Sequence, residues 1–508
     1  MNVVIVAGGL GTRFEELSVF PKILLPTTNY SSIIHEDIER FKNHNLYLII
    51  NERFYDMTKN YLDINNLDVT LIKSINSNGS YNTIKAVYDL LPKENVLFVW
   101  SDLILNENLP EFIDNTVVTY NGNYRYTFKN NSIYKVDNYD GNVPGIYYIK
   151  HLDSIFNIEL DAFNNLDLVD VIKDNVDKFY EYQLKDNLKE YRDLSTYINV
   201  IKGEKSNTFL KTRFFNTMTK ERFEGVETLV KRATDTKYYN LISDEYKWYS
   251  ELGFNNELCP KIYTKETTMD NNIVGFRMKF LDGYIGLHQH IKNCLENNDY
   301  DKIQLTYSII KQNLDILHKE TTKVSKETFS TDLKKELVDK VIKRCDDIEH
   351  MLLNYDKEYM VSLLTKVYDI IMDEYKDVDK VEYNFCHGDL NGSNIMVNPS
   401  NNDVKFIDPR GYFGNTKLYG WKEYEYSKLL YCLMGYDDFN NLPQIYKFDE
   451  PKSLKCVNQI DYLNKRIYKL IVGVIYVALA GYISQNIMKA NIAYEYGIKI
   501  LENELNER

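Results

Sequence analysis

The sequence lacks the cysteine patterns that are typical of zinc sites and of disulfide frameworks. Its six cysteines are scattered between Cys259 and Cys456, and no two of them stand in a CxxC spacing. Zinc knuckles use such pairs, and the disulfide frameworks of small secreted domains use dense, regularly spaced cysteines. We therefore predict neither kind of site, and this cysteine usage fits a reducing, cytoplasmic setting.

Membrane-spanning runs and basic surfaces are also missing. The most apolar run, residues 470–483, is too short to cross a bilayer, so we expect a buried helix and no membrane insertion. The opening MNVVIVAGG lacks the basic start and the cleavage site of a signal peptide. The formal net charge of -13 argues against a nucleic-acid partner, which would require a basic face. The expected partners are small molecules, and the oligomeric state is left open.

The common glycine motifs for nucleotides are absent too, but a different one is present. No GxxxxGK[ST] occurs, and the stretch AGGLGTRF is not a dinucleotide fingerprint because Phe14 replaces the last glycine. Its glycines instead let backbone amides approach a triphosphate, with an arginine to clamp phosphates and a lysine to add a second positive charge. The predicted nucleotide-binding residues are Gly8, Gly9, Gly11, Thr12, Arg13 and Lys22.

The pattern of apolar residues divides the chain into regions. Up to about residue 205, short β-branched runs such as NVVIVA, NLYLIIN and NVLFVW alternate with helical spacing, which predicts an α/β domain with a mostly parallel sheet. From about 215 to 283 the pattern predicts antiparallel strands around a helix, and from 284 to 508 mainly helices. At 508 residues the chain is too long for one core. We place the domain boundary between 205 and 215.

The N-terminal stretch AGGLGTRFEELSVFPKILLP resembles the nucleotidyltransferase family that makes nucleotide sugars and CDP-alcohols. The resemblance covers about 200 residues and implies a Rossmann-like (GT-A-like) domain. It implies Asp102 in FVWSDLILN as the first magnesium ligand, and Asp193 in YRDLSTY as the second. In this family an acceptor phosphate attacks the α-phosphorus of a nucleoside triphosphate and pyrophosphate leaves.

A second motif lies near the C-terminus. HGDLNGSN has the spacing H-x-D-L-x-x-x-N of a kinase catalytic loop, in which Asp389 accepts a hydrogen bond from the attacking hydroxyl and Asn394 reaches a magnesium ion. The following residues, NIMVNPSNNDVKFIDP, predict a hairpin that delivers Asp408 beside Asn394 as a second magnesium ligand. His387 is predicted to brace the loop.

The C-terminal half resembles the family of aminoglycoside phosphotransferases and choline kinases over about 290 residues. The resemblance implies a bilobal, protein-kinase-like fold with an N-lobe of about 215–283 and a C-lobe of about 284–508. It implies Asp389 as the base, Lys231 in TLVKRATD as the phosphate-pairing lysine and Glu245 in SDEYKWY as its partner. The chain departs from the kinase pattern before Lys231, because no G-x-G-x-x-G precedes it.

Together the two resemblances imply consecutive reactions: a kinase makes a phosphate monoester, which a nucleotidyltransferase consumes. Such a chain would use Mg²⁺, ATP and a second nucleoside triphosphate, with CTP the first expectation, and would make an activated precursor such as CDP-choline for surface glycan or lipid decoration. One alternative is a sugar kinase joined to a sugar-phosphate nucleotidyltransferase. Another is that one half is a degenerate nucleotide-binding module.

The substrate residues are left open between these alternatives. Trp421 and Glu423 could help to build an aromatic and acidic cage for a quaternary ammonium. Arg410 argues against a quaternary ammonium substrate, because choline kinases usually carry an acidic residue soon after the metal-binding aspartate. An arginine there repels a cation and suits a polyol or an anionic group.

Overall fold

A computed structural model describes most of the chain: residues 1–28, 31–75, 79–137, 140–156, 166–176, 178–185, 188–203, 216–436, 439 and 451–506. The boundary that the sequence predicts between 205 and 215 lies outside the described residues. Among the described helices, none combines the length and the apolar character needed to span a bilayer.

The first half is an α/β domain. Its strands are β1 (Asn2–Ala7), β2 (Pro26–Thr28), β3 (Ser31–Ser32), β4 (Asn45–Asn51), β5 (Thr70–Ser74), β6 (Glu94–Trp100), β7 (Leu103–Leu105), β8 (Thr116–Thr119), β9 (Tyr126–Lys129), β10 (Ser132–Lys135), β11 (Ile146–His151), β12 (Tyr180–Gln183) and β13 (Leu188–Glu190). Its helices are α1 (Ile33–Phe41), α2 (Tyr55–Ile64), α3 (Ser80–Lys85), α4 (Asp153–Phe156), α5 (Leu168–Asn175) and α6 (Leu194–Gly203). 3₁₀ segments lie at Thr12–Val19, Lys22–Leu24, Glu52–Phe54 and Tyr88–Leu90.

The main sheet of this domain is mixed, in the order β12-β8-β11-β6-β1-β4-β5. β1 pairs in parallel with β4 and β6, whereas β11 runs antiparallel between β6 and β8. The β-branched run of β1 is buried on both faces, with Val3, Val4 and Ile5 fully inaccessible. This confirms the predicted Rossmann-like α/β domain. Because Val6 of β1 lies beside Trp100 of β6, the loops that follow the two strands meet at one sheet edge.

The second half begins with a four-stranded antiparallel sheet and continues mainly as helices. Its strands are β14 (Asn216–Phe223), β15 (Val226–Ala233), β16 (Ile262–Thr267), β17 (Ile273–Lys279), β18 (Ile285–Gly286), β19 (Thr321–Ser325), β20 (Lys380–Phe385), β21 (Ile395–Val397), β22 (Val404–Phe406), β23 (Tyr412–Phe413), β24 (Thr416–Lys417) and β25 (Tyr419–Gly420). Its helices are α7 (Tyr239–Leu252), α8 (Leu287–Glu296), α9 (Tyr300–Leu317), α10 (Lys326–Lys334), α11 (Lys340–Asp346), α12 (Lys357–Glu374), α13 (Lys422–Tyr431), α14 (Arg466–Tyr482) and α15 (Ile487–Asn506). The 3₁₀ turns are Thr236–Tyr238, Glu349–Met351, Lys452–Gln459 and Asp461–Leu463, and π-type turns span Lys335–Asp339 and Cys432–Tyr436.

Several local predictions are confirmed in this half. The first sheet has the order β14-β15-β17-β16, and α7 packs against β17. β21 and β22 form the predicted hairpin, with Ile395 opposite Phe406. The apolar run predicted to be a buried helix forms most of α14, which packs along α15. The assignment of these elements to a kinase-like fold stays a prediction.

The two halves touch through the turn between α14 and α15. The Tyr61 hydroxyl of α2 donates a hydrogen bond to the Gln485 carbonyl at 2.7 Å. The Tyr197 hydroxyl of α6 lies 4.0 Å from Met488 Sδ and donates to the Pro26 carbonyl at 2.8 Å. Buried apolar residues of both halves belong to one contiguous cluster. Separating the halves would therefore expose apolar and polar groups that the intact chain covers.

We expect residues 1–205 and 215–508 to fold as separate pieces, since each is long enough for its own core. We further expect the two pieces to associate when mixed, because Tyr61 and Tyr197 would regain their partners across the contact. Size-exclusion chromatography of each piece, alone and mixed, measures both outcomes. Two insoluble pieces would indicate a shared core, and two soluble pieces that elute independently would show that the contact is weak.

Candidate active sites

The residues predicted to bind a triphosphate line one cavity of about 310 Å³ at the carboxyl ends of β1 and β6. The loop after β1 supplies the backbone amides, and the loop after β6 supplies a carboxylate. The cavity wall includes Gly8, Gly9, Gly11, Thr12, Arg13, Lys22 and Asp102. The structure therefore brings together six predicted nucleotide-binding residues and the first predicted magnesium ligand.

Glycine is required at two positions of this loop for different reasons. A Cβ atom on Gly8 would lie 2.3 Å from Thr83 Cγ2, which no real side chain tolerates. Gly11 has a φ of 66°, in the left-handed region that other residues rarely adopt, and it begins the turn at Thr12–Val19. The loop can therefore turn sharply and keep its backbone open to a ligand.

An ion pair joins the two loops. Lys22 Nζ lies 2.8 Å from Asp102 Oδ2, and both side chains are 14% exposed. The ammonium group also lies over the Phe14 ring, 5.1 Å from its centre, in a cation–π contact. Lys22 is thus placed in the cavity wall with its charge directed at the Asp102 carboxylate.

Asp193 lies at the start of α6 and not in the cavity wall. Its carboxylate accepts hydrogen bonds from the Thr196 backbone N–H at 2.8 Å and from the Thr196 hydroxyl at 3.0 Å. The backbone hydrogen bond, together with that hydroxyl, lowers the pKa of Asp193 despite its partial burial. The carboxylate therefore caps a helix here, and its predicted role as a metal ligand stays a prediction.

Two charged residues that the sequence did not single out line the cavity: Asp167 and Arg192. Arg192 is held in place by Glu190, whose carboxylate oxygens accept from Nε at 3.0 Å and from Nη2 at 2.9 Å. Asp167 Oδ1 accepts from the Ser80 hydroxyl at 3.3 Å. Arg192 precedes Asp193 directly, so the motif YRDLSTY contributes its arginine to the cavity.

These features fit a domain that binds a triphosphate at a strand end. Residues 2–132 match the family model described as nucleotidyl transferase. The first half of the chain is therefore a nucleotidyltransferase domain. The matched residues include the glycine loop, Arg13, Lys22 and Asp102, and they stop before Arg192 and Asp193.

Solved structures are similar to about two fifths of the chain. They include a CTP:phosphocholine cytidylyltransferase from Streptococcus pneumoniae, 19% identical, covering 39% of this chain and 96% of that one, with a TM-score of 0.35. An inositol-1-phosphate CTP transferase from T. maritima is 11% identical and covers 40% and 97% of the two chains, with a TM-score of 0.33. A UDP-glucose pyrophosphorylase is 15% identical and covers 39% and 96%, with a TM-score of 0.33. No curated protein matches the chain.

The second half holds a separate cluster around Lys231. This lysine lies in β15 with its side chain 2% exposed, and its Nζ is 2.7 Å from Glu245 Oε2 of α7 and 2.5 Å from Asp408 Oδ1. Burial alone would lower the pKa of Lys231, but the Asp408 and Glu245 carboxylates outweigh it and raise that pKa. The structure thus brings together Lys231 and Glu245, whose pairing was predicted only from the family resemblance, and places Asp408 beside them.

The loop that carries Asp389 is fixed by a buried histidine. His387 Nε2 donates to the Ile407 carbonyl at 2.9 Å, so Nδ1 is the acceptor for the Asp389 backbone N–H at 3.3 Å. Burial lowers the pKa of His387, which favours this neutral form. The Asn394 amide Nδ2 donates to the Asp389 carbonyl at 2.9 Å. His387 therefore braces the loop.

Lys428 of α13 is a residue of this site that the sequence motifs did not reveal. Its Nζ lies 3.0 Å from Asp389 Oδ1, and its side chain is 14% exposed. Burial would raise the pKa of Asp389, but the Lys428 ammonium outweighs it and holds that pKa well below the usual range. Asp389 is therefore an ionised hydrogen-bond acceptor throughout the neutral range.

Arg410 is paired with a buried acid. Its guanidinium Nη1 lies 3.2 Å from Glu336 Oε2, Nη2 contacts Glu336 Oε1, and the group stacks 3.8 Å from the centre of the Tyr412 ring. Burial would raise the pKa of Glu336, but Arg410 and Lys340 lower it to about 2. Arg410 therefore places a positive charge beside the Asp389 loop, and this charge is paired with the buried Glu336 carboxylate.

The two residues considered for an ammonium cage are placed differently. Trp421 is 2% exposed, packs against Phe329 and Phe413, and donates from Nε1 to the Tyr375 hydroxyl at 2.9 Å. These are the contacts of a core residue and do not favour substrate binding. Glu423 is half-buried, and burial raises its pKa. The substrate roles of both residues stay predictions.

The residues near Asp408 fit a magnesium ion. The Ile407 N–H donates to the Asn394 carbonyl at 2.9 Å, which places the predicted amide and carboxylate ligands at adjoining ends of one hairpin. Oxygen donors of this kind suit Mg²⁺, which completes its coordination with waters and substrate phosphates. Within the described residues no group of three or more His, Cys, Asp or Glu could hold a metal alone. A metal bound together with phosphates is consistent with both sites.

Proposed function

We propose that the chain is a bifunctional enzyme. Its second half phosphorylates a small alcohol with ATP, and its nucleotidyltransferase domain couples the resulting phosphate ester to a nucleoside triphosphate with release of pyrophosphate. The observation that carries the proposal is the meeting of Lys231 with Glu245 and Asp408 beside the Asp389 loop, in a chain that also holds the Lys22–Asp102 cavity.

In the kinase reaction, Asp389 accepts a hydrogen bond from the attacking hydroxyl and then takes its proton. Its low pKa makes it a weak base but a dependable acceptor, so its main contribution is to orient the hydroxyl. Lys231 pairs with ATP phosphates, and Glu245 holds it in position. Asn394 and Asp408 would hold the magnesium ion, which stabilises charge on the transferring phosphoryl group.

In the nucleotidyltransferase reaction, the acceptor phosphate attacks the α-phosphorus and the bond to pyrophosphate breaks. Glycine-loop amides and Arg13 bind the departing phosphates, while Lys22 stabilises charge that develops near the α-phosphorus. Asp102 would hold the magnesium ion there, with Asp193 as the predicted second ligand. CTP is the nucleotide we expect first, and the product is an activated compound for surface glycan or lipid decoration, made in the cytoplasm.

A degenerate, nucleotide-binding second half is the rival to this proposal. The retained set of Asp389, Asn394 and Asp408 favours catalysis, because binding of nucleotide alone does not require an aspartate braced by His387. The acceptor itself is either an amino alcohol such as choline or a sugar-like polyol or acid. The charges around Asp389 bear on that choice.

Two half-reactions measured on the intact chain test the proposal. ADP release from Mg-ATP is followed with a panel of alcohols, and pyrophosphate release is followed with each nucleoside triphosphate and a panel of phosphate esters. We expect each half-reaction to respond to at least one acceptor. Pyrophosphate release without any acceptor-dependent ADP release would support the degenerate-module alternative.

A further inference from the structure

Three cationic side chains, those of Lys428, Lys340 and Arg410, lie near the catalytic loop. Lys428 Nζ lies 3.0 Å from Asp389 Oδ1, and Lys340 Nζ lies 2.8 Å from Glu336 Oε2. Arg410 shares the Glu336 carboxylate with Lys340. Two of these three cations are therefore paired with a single carboxylate, that of Glu336.

Among Glu336, Arg410 and Lys340, the exposed fraction of each side chain decides which sign of charge a ligand meets, and Asp389, 28% exposed, is the carboxylate left open to the hydroxyl. Glu336 is 1% exposed, whereas Arg410 is 17% and Lys340 is 27% exposed. The anion thus lies behind the cations and cannot contact a solute. Glu336 also belongs to the π-type turn Lys335–Asp339 between α10 and α11, a conformation that is frequent at functional sites.

The cluster is also incompletely satisfied. Arg410 Nε is buried and has no hydrogen-bond partner within the part of the chain that the structure describes. Burial and the nearby Arg410 guanidinium lower the pKa of Lys340 to about 8, against the pull of Glu336. The unpartnered Arg410 Nε and the Glu336 carboxylate shared by two cations indicate that the cluster lacks a negative group that a ligand could supply.

We propose that the alcohol phosphorylated at this site carries an anionic group, a carboxylate or a phosphate, which Lys340, Arg410 and Lys428 bind. The proposal rests on the kinase function proposed above. When the anionic group of the substrate pairs with the Lys428 ammonium, that ammonium no longer occupies Asp389 Oδ1. The oxygen then becomes available to the substrate hydroxyl. The hydroxyl oxygen then bonds to the γ-phosphorus, the bond from that phosphorus to ADP breaks, and the proton passes to Asp389 and on to solvent.

A quaternary ammonium fits this cluster poorly. Choline would place its permanent positive charge near Arg410, Lys340 and Lys428, while Glu336 is inaccessible and Asp389 is needed for the hydroxyl. The charges therefore favour the polyol-or-acid alternative over the amino-alcohol alternative for the kinase acceptor.

Matched pairs of alcohols test the charge preference on the intact chain. ADP release from Mg-ATP is measured with glycerate and glycerol, with glycerol 3-phosphate, and with choline and its neutral isostere 3,3-dimethylbutan-1-ol. We expect kcat/KM for an anionic alcohol to exceed that of its neutral counterpart by about 30-fold or more. Comparison of glycerate with glycerol 3-phosphate distinguishes a carboxylate from a phosphate.

Lys340→Met tests the cluster directly, because Lys340 does not contact Asp389. We expect KM for the anionic alcohol to rise about tenfold or more, with KM for ATP unchanged. Lys340→Arg should restore most of the affinity, and Lys343→Met, an exposed lysine on the same helix, is the matched control. The melting temperature of the intact chain and the unchanged KM for ATP verify that the second half of each variant is folded.

The possible results distinguish failure of the charge inference from failure of the kinase proposal on which it rests. Preference for choline or for neutral alcohols would overturn the charge inference and leave the kinase in place. Equal KM values in Lys340→Met and wild type would remove Lys340 from the acceptor site. No acceptor-dependent ADP release from any member of the panel would refute the kinase proposal, and the inference with it.

Discussion

Asp389→Asn is expected to lower acceptor-dependent ADP release by about 100-fold or more, because an amide cannot accept the hydroxyl proton. The nucleotidyltransferase reaction should continue at the wild-type rate, since Asp389 lies in the other half of the chain. Rates of both half-reactions, measured on the same preparation, give the result.

Asp377→Asn is the matched control, because Asp377 is an exposed aspartate on the same half of the chain. It should leave both rates unchanged. Kinase activity of Asp389→Asn within about tenfold of wild type would remove Asp389 from the role of general base.

Lys22→Ala should impair the nucleotidyltransferase reaction and leave the kinase reaction intact. It removes the ammonium that pairs with Asp102 in the cavity wall, so we expect pyrophosphate release to fall by about 100-fold or more. Asp102→Ala should have an effect of the same order, because it removes the predicted magnesium ligand. ADP release should persist in both variants, as measured with the same alcohol and Mg-ATP.

Lys42→Ala serves as the control for this pair, since Lys42 is exposed and forms an ion pair with Glu39 at the end of α1. Loss of ADP release in Lys22→Ala, with the chain still folded, would contradict the assignment of the two reactions to two sites.

Local motifs made much of the two sites predictable. The strand NVVIVA and the following glycines are contiguous in sequence, so the cavity loop could be identified from one stretch. The hairpin that links Asn394 to Asp408 is equally local. Lys231 and Glu245 lie on separate elements, and only the family resemblance indicated that they would meet.

Contacts between distant elements could not be predicted in this way. Lys428 reaches Asp389 from α13, and Glu336 reaches Arg410 from the turn after α10. No fixed sequence spacing relates these partners, because their distance depends on how the helices pack. Trp421 is a different case. Its position near Glu423 in the sequence suggested an aromatic cage, whereas its side chain packs in the core.

Transfer of a radioactive γ-phosphate from ATP tests the central claim most directly. The intact chain is incubated with labelled ATP, unlabelled CTP or the nucleotide preferred in the pyrophosphate assay, and the best alcohol of the panel. If the two reactions are consecutive, the label passes first to the phosphate ester and then into the nucleoside diphosphate compound, while the released pyrophosphate stays unlabelled. Label that stops in the phosphate ester, with no labelled nucleotide product, would contradict the account and leave two unrelated reactions on one chain.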